Sequence, residues 1–188
     1  MPLNLPNLVT LLRILLIPLI VGIFYLPDEW LSFENRNIAA TSVFIFAAIT
    51  DWLDGYLARK LNQMSAFGAF FDPVADKLVV VGALVVLLYL NRVDMVVALI
   101  IIGREIAISA LREWMARVGQ AKSVAVAFIG KLKTVVQMIA IPLLLFEGPL
   151  FGLLDCQLFG TLLINIAAVL TVVSMLYYLR RALPLARG

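Results

Sequence analysis

Long apolar stretches, separated by short groups of charged residues, are the feature that most constrains the fold of this chain. Hydrophobic residues make up 63% of its 188 residues and charged residues only 14%, whereas a typical soluble domain has about 25% charged residues. A helix that crosses a membrane needs about 20 predominantly apolar residues. The sequence therefore predicts an all-α polytopic membrane protein, in which residues 1–188 form a single domain with six transmembrane helices.

The six predicted spans begin with an N-terminal helix that we expect to remain uncleaved. Arg13 lies inside its apolar run and no small-residue cleavage site follows, unlike the order of features in a signal peptide. The residues before Ile14 are polar on one side, which indicates an N-terminal interfacial segment. The other spans are expected at about Ile38–Leu61, Phe70–Leu90, Met95–Leu111, Leu132–Phe146 and Leu158–Leu179.

The charges between the spans alternate in sign, and this alternation predicts the orientation. Basic residues predominate after the second, fourth and sixth spans, whereas acidic residues predominate after the first and the fifth. Because Lys and Arg favour the cytoplasmic side, both termini are expected in the cytoplasm. The stretch from Arg112 to Lys133 is interpreted as a basic cytoplasmic loop with room for a short helix of its own.

Two residue types that often carry chemistry are scarce in this chain. It has one cysteine, Cys156, and no histidine. Intramolecular disulfides, zinc sites built on Cys and His, and a histidine general base are therefore excluded. Any catalysis must use carboxylates, lysines, arginines or a metal ion.

Four aspartates lie close together in the sequence, at Asp51, Asp54, Asp72 and Asp76. An ionisable side chain within a membrane segment costs roughly 2.5–3.5 kcal/mol, so such a cluster needs a cationic partner or a function. Two antiparallel helices joined near residues 62–65 would bring the two acidic pairs face to face. Carboxylate oxygens suit Mg²⁺ or Mn²⁺, which keep positions open for substrate phosphates. The structural alternative is ion pairing with the nearby cations, which are Arg59, Lys60 and Lys77.

The same stretch carries a longer pattern, D-x2-D-G-x2-A-R-x8-G-x3-D-x3-D. It is filled without departure by Asp51, Asp54, Gly55, Ala58, Arg59, Gly68, Asp72 and Asp76. In these positions the chain resembles the CDP-alcohol phosphotransferases, and the resemblance extends over nearly the whole chain.

The resemblance implies a metal-dependent transferase, homodimeric, in the cytoplasmic membrane of a bacterium with its active site facing the cytoplasm. Asp51, Asp54 and Asp72 would hold two divalent ions, either Mg²⁺ or Mn²⁺. Asp76 would contact the metal and also take the proton from the attacking alcohol. The CDP-binding positions would be Asp54, Gly55, Ala58, Arg59, Gly68 and Thr10.

A second group of motifs bears on the acceptor. G-R-E-I at residues 103–106 of the fourth span, a nearby L-R, and G-K-x-K-T from Gly130 resemble the phosphatidylglycerophosphate-forming branch of the family. That branch implies CDP-diacylglycerol and sn-glycerol 3-phosphate as substrates. The phosphate of the acceptor would be bound by Arg112, Lys131 and Lys133, with Arg13 and Arg104 as further candidates. Glu105 is expected to pair with a cation.

Several alternatives remain open at the level of the sequence. The acceptor could instead be inositol phosphate, phosphatidylglycerol or serine. Arg13 could extend to the membrane interface, with its long side chain along the helix, and the basic residues could serve only as topology signals. Outside the family, the alternatives are a divalent-cation transporter with intramembrane carboxylates and a non-catalytic scaffold. Membrane lipids are expected partners, and no nucleic-acid partner is expected.

Overall fold

The structure is a computed structural model that describes residues 5–60, 66–117, 128–150 and 152–186. Within these ranges, the side chains of residues 5–7, 52–60, 66, 67, 69, 70, 116, 117, 128 and 181–186 lie outside the description. The predicted break at residues 62–65 and the middle of the predicted basic loop also lie outside the described residues.

Six helices account for nearly all of the described chain. They are α1 (Leu5–Ile23), α2 (Phe33–Lys60), α3 (Ala66–Tyr89), α4 (Met95–Arg117), α5 (Phe128–Phe146) and α6 (Cys156–Ala186). A two-residue antiparallel ladder, which was not predicted, joins α5 to α6 and consists of β1 (Pro149–Leu150) and β2 (Leu154–Asp155). The prediction of six helices is thus confirmed within the described residues.

The prediction of a basic loop from Arg112 to Lys133 is wrong at both ends. Helix α4 continues to Arg117 and α5 begins at Phe128, so Arg112, Lys131 and Lys133 all lie on helices. Helix α4 continues because Ile108 and Met115, two turns apart, bury one side of it against Tyr178 of α6. Charged residues on the opposite side lower the mean hydropathy there without ending the helix.

Helix α1 buries the polar side chains of Thr10 and Arg13 and exposes a row of leucines. Thr10 and Arg13 are each only 1% exposed. Its outward face carries leucines spaced three or four residues apart, at Leu8, Leu12, Leu15 and Leu19. A helix in water would show the opposite arrangement. This arrangement indicates an apolar environment outside α1.

The helices approach closely at two glycines. A Cβ on Gly82 of α3 would lie 2.9 Å from Cγ2 of Ile17 on α1. A Cβ on Gly160 of α6 would lie 2.7 Å from Cγ of Leu144 on α5. Small residues allow such backbone approaches between membrane helices. The positions of α1 against α3 and of α5 against α6 therefore depend on these glycines.

Arg92, in the α3–α4 connection, joins three parts of the chain at the end of the bundle where α2 begins. It is buried, and it donates to the carbonyl oxygens of Leu144 (3.1 Å) and Leu145 (2.8 Å), to Oδ1 of Asn37 (3.0 Å) and to the carboxylate of Glu147. The two carbonyls belong to the last turn of α5, whose backbone oxygens have no partner within the helix. Burial lowers the pKa of Arg92 from its ordinary value, and the neighbouring Glu147 carboxylate partly offsets that shift.

Two of the helices are long and apolar enough to cross a membrane, when the search is confined to the described residues. The qualifying segments are Ile129–Phe146 of α5 and Cys156–Arg180 of α6, and Leu8–Ile23 of α1 is a shorter apolar segment. Helices α2, α3 and α4 carry the acidic and basic side chains described below, which lower their hydropathy. The six-span topology and its orientation therefore stay predictions.

Candidate functional site

Arg13 lies at the point where α1, α2 and α3 meet. Its guanidinium group donates to Oδ1 of Asp51 on α2 at 3.0 Å and to Oδ1 of Asp76 on α3. One turn earlier on α1, the Thr10 hydroxyl donates to Oδ1 of Asp72 at 2.6 Å. The expectation that the acidic residues of α2 and α3 lie face to face is therefore confirmed for Asp51 and Asp76.

The two carboxylates bridged by Arg13 also face open space. The side chains of Asp51 and Asp76 are 46% and 43% exposed, whereas that of Arg13 is 1% exposed. They border a cavity of about 150 Å³, here called the inner cavity, whose lining includes Arg13, Asp51, Asp76, Glu105, Lys133 and Gln137. The partly exposed side chains of Asp51 and Asp76 thus border the inner cavity, and the buried Arg13 donates hydrogen bonds to both.

The donor set fits a hard divalent cation. Asp51 and Asp76 already converge on one cationic group, and each still has carboxylate surface exposed to the inner cavity. Asp72 lies one turn before Asp76 on α3 and is partly exposed. Among the described side chains, no three carboxylates are close enough to form a metal site by themselves. Asp54, the fourth predicted ligand, has its side chain outside the description.

A second charged cluster lies across the inner cavity, between α4 and α5. Lys133 is buried and donates to Oε1 of Glu105, which also accepts a hydrogen bond of 3.4 Å from Arg104. Arg104 reaches Oγ of Ser174 on α6 at 3.1 Å. The expectation that Glu105 pairs with a cation is confirmed, and its partner is Lys133 together with Arg104.

Beyond this cluster is a second cavity of about 360 Å³, here called the basic pocket. It is lined by Arg104, Glu105, Arg112, Lys131 and Thr134, with Gly130 and Val135. The side chain of Tyr178 lies beside both arginines, with its ring centroid 6.0 Å from Cζ of Arg104 and 5.7 Å from Cζ of Arg112. Cationic groups over an aromatic face are held in place by the ring quadrupole.

The inner cavity and the basic pocket share two lining residues, Glu105 and Thr134. The structure thus divides the predicted acceptor site. Arg104, Arg112 and Lys131 line the basic pocket, whereas Lys133 lines the inner cavity. A ligand that extends from one cavity to the other would meet three cationic groups at one end and two aspartates at the other. This arrangement suits a phosphorylated molecule with a reactive hydroxyl.

Sequence reasoning left two interpretations of Arg13 open and missed Gln137. Arg13 is buried, donates to two aspartates and lines the inner cavity, which contradicts the extension of its side chain to the membrane interface. Its role as an acceptor-phosphate candidate stays a prediction. Gln137, a buried residue of α5, lines the inner cavity. The one available signal was that Gln137 follows Lys133 by four residues, which places the two on one helix face.

The predicted nucleotide-binding residues are described only in part. The backbone of α2 runs through Asp54, Gly55, Ala58 and Arg59, but their side chains lie outside the described residues. Gly68 is buried in the first turn of α3. Thr10 is buried against Asp72. The nucleotide-binding role of these positions stays a prediction.

Comparison of the sequence with known proteins assigns the chain to a family. A model of the CDP-alcohol phosphatidyltransferase family matches residues 3–174. The CDP-diacylglycerol–glycerol-3-phosphate 3-phosphatidyltransferase of Pseudomonas fluorescens is 50% identical over 184 residues, covering 96% of this chain and 91% of the relative. The enzyme of the same name from Escherichia coli strain K12 is 48% identical over 184 residues, covering 97% and 96%. The chain therefore belongs to the CDP-alcohol phosphatidyltransferase family.

Proposed function

We propose that this protein transfers the phosphatidyl group of CDP-diacylglycerol to sn-glycerol 3-phosphate, with release of CMP and formation of phosphatidylglycerophosphate. The observation that carries the proposal is that the inner cavity and the basic pocket are neighbours with two lining residues in common, Glu105 and Thr134. Two exposed aspartates, Asp51 and Asp76, lie at one end and the cations of the basic pocket lie at the other. The names of the relatives point to the same two substrates.

Asp76 is the proposed general base. The hydroxyl at carbon 1 of the acceptor attacks the phosphatidyl phosphorus, and its proton passes to the Asp76 carboxylate. A new oxygen–phosphorus bond forms as the bond to CMP breaks, and the leaving phosphate oxygen keeps the electron pair. Arg13 orients Asp76 through its hydrogen bond, and the Asp76 side chain is 43% exposed, so an acceptor can reach it.

Asp51, Asp54 and Asp72, with Asp76, are the proposed holders of two divalent ions, Mg²⁺ or Mn²⁺. When bound, these ions neutralise charge on the diphosphate that is being cleaved. The cytidine nucleotide is assigned to Gly55, Ala58, Arg59, Gly68 and Thr10, as the family resemblance implies. Thr10 fits this neighbourhood because its hydroxyl already touches Asp72.

The phosphate of the acceptor is assigned to the basic pocket. Arg104 is buried with its guanidinium over the ring of Tyr178, and Arg112 and Lys131, which also line the pocket, are exposed. Arginines bind a phosphate dianion through charge-assisted, paired hydrogen bonds. Lys133 donates to Glu105 in the lining of the inner cavity. It would contact the part of the acceptor that lies between the phosphate and the hydroxyls.

The proposed setting is the bacterial inner membrane, crossed by all six helices, with both termini and the site on the cytoplasmic side. The exposed leucines of α1 and the two long apolar segments of α5 and α6 support membrane insertion. An apolar pocket of about 310 Å³ between α2 and α5 adjoins the inner cavity through Ala48 and Met138, and it would suit an acyl chain. The homodimer implied by the family resemblance is part of the proposal, and sedimentation in detergent would test it.

The decisive experiment is CMP release by the purified protein with CDP-diacylglycerol and Mg²⁺. Glycerol 3-phosphate, inositol phosphate, serine and phosphatidylglycerol are offered in turn, with Asp51→Asn as the inactive control. Release with glycerol 3-phosphate alone is the expected result. Release with another acceptor would refute the acceptor assignment and keep the chemistry. Uptake of divalent cations into vesicles without any CMP release would refute both and favour a transporter.

A further inference from the structure

Gln137 presents an unsatisfied polar atom in the wall of the inner cavity. Its side chain is 3% exposed, and its Oε1 atom has no hydrogen-bond partner. It lines the inner cavity together with Asp76 and Lys133. A buried polar atom without a partner costs about 1–3 kcal/mol, so a glutamine at this buried position of α5 needs a reason.

None of the three cations that line the cavity, Arg13, Lys77 and Lys133, donates to Oε1 of Gln137. Lys133 donates to Glu105, and Arg13 donates to Asp51 and Asp76. An ionised carboxylate can accept hydrogen bonds but has no hydrogen to donate, so Asp51 and Asp76 cannot donate to Oε1 of Gln137. The partner that fits is therefore a group of the ligand that occupies the cavity.

The position of Gln137 along α5 indicates which group. It follows Lys133 by four residues, about 6 Å further along the same helix face. The proposed function places the acceptor's phosphate in the basic pocket and its reacting hydroxyl at Asp76. The middle carbon of the acceptor then lies beside the face of α5 that carries Lys133 and Gln137. That carbon carries the second hydroxyl of glycerol 3-phosphate. A hydroxyl both donates and accepts, so it satisfies the Gln137 amide in either of its two orientations.

We propose that Gln137 is a specificity-determining residue that hydrogen-bonds the non-reacting hydroxyl of a phosphorylated diol acceptor. The inference rests on the proposed function and deepens it. A site with a buried polar group rejects an analogue that lacks the matching hydroxyl, because that group is then left without a partner. Gln137 would therefore favour glycerol 3-phosphate over phosphorylated alcohols that have only the reacting hydroxyl.

The test compares two acceptors on two proteins. 3-Hydroxypropyl phosphate has the phosphate and the reacting hydroxyl of glycerol 3-phosphate but no hydroxyl between them. The wild-type protein should prefer glycerol 3-phosphate by about 10- to 100-fold in kcat/KM. Methionine is apolar and of similar size to glutamine. In Gln137→Met, kcat/KM for glycerol 3-phosphate should fall by the same roughly 10- to 100-fold, whereas kcat/KM for the analogue should stay within about threefold of the wild-type value. The KM for CDP-diacylglycerol should not change.

Gln157 provides the matched control. It is another glutamine whose buried Oε1 has no partner, but it lies in the first turn of α6 and does not line the inner cavity. Gln157→Met should keep the wild-type preference between the two acceptors.

Two results would overturn the assignment of Gln137. The first is an unchanged preference between the acceptors in Gln137→Met, whether or not activity falls equally with both. The second is a wild-type protein that accepts both molecules equally. The last needs no variant, so it holds even if Gln137→Met fails to fold. A wild-type protein that releases no CMP with either acceptor would instead refute the proposed function, on which this inference rests.

Discussion

Replacing Arg13 with methionine should destabilise the protein and make its stability more dependent on divalent cations. The guanidinium group donates to Asp51 and to Asp76, and a hydrogen bond to a charged group is worth about 1.5–3 kcal/mol. The two carboxylates are 46% and 43% exposed, so solvent screening reduces each contribution to about 1 kcal/mol. The expected loss is therefore about 2 kcal/mol, or about 4–8 °C in Tm for a chain of this size.

The assay is thermal unfolding of purified protein in detergent, with EDTA and with increasing Mg²⁺. In Arg13→Met, the two aspartates face each other without the arginine between them, so a bound cation should raise Tm more than it does in wild type. Arg13→Lys keeps the charge but not the fork-shaped donor group, and it should show a smaller loss. The same Tm for wild type and Arg13→Met in EDTA would refute the electrostatic reasoning. An equal Mg²⁺ effect in both proteins would refute the claim that arginine and metal share these carboxylates.

Further predictions concern the base, the acceptor site and the far end of the bundle. Asp76→Asn should abolish CMP release, and it should weaken nucleotide binding less than Asp51→Asn does. The two measurements are turnover and CDP-diacylglycerol binding. Full activity in Asp76→Asn would show that Asp76 is not the base. Lys133→Ala should raise the KM for glycerol 3-phosphate far more than that for CDP-diacylglycerol, and equal effects would contradict its acceptor role. Glu147→Gln, which removes the charge facing a buried arginine, should cost about 1–2 kcal/mol, or about 2–8 °C in Tm. Glu29→Gln at an exposed position is its control, and equal Tm changes in the two variants would contradict the prediction.

The acidic part of the site could be predicted from the sequence because its geometry is local. Helical spacing places Asp72 and Asp76 one turn apart on α3, and a short connection returns the chain from α2. The cation between Asp51 and Asp76 could not be predicted in the same way. Arg13 is separated from these residues by 38 and 63 positions, and a periodic pattern within one helix contains no information about such a pairing.

The helix ends and Gln137 show two further limits of sequence reasoning. A hydropathy criterion stops at charged residues, so it ended the fourth span at Leu111 although α4 continues to Arg117. Whether Gln137 faces lipid, protein or a cavity depends on how α5 is rotated against α2, α3 and α4. That rotation is set by side-chain packing across helices, including the close contact between Gly160 and Leu144.

The buried Arg13 has a consequence for how the protein is made. Its partners on α2 and α3 are synthesised 38 and 63 residues later, so at about 5–20 residues per second the ribosome needs about 3–13 s to supply Asp76. During that interval α1 carries a cation whose two permanent counter-charges do not yet both exist. We expect the first helix to keep this side chain near water or lipid headgroups and to settle only when α3 arrives. Loss of Asp76 would then delay membrane assembly as well as the reaction, so the amount of each aspartate variant in the membrane should be measured before its turnover is interpreted.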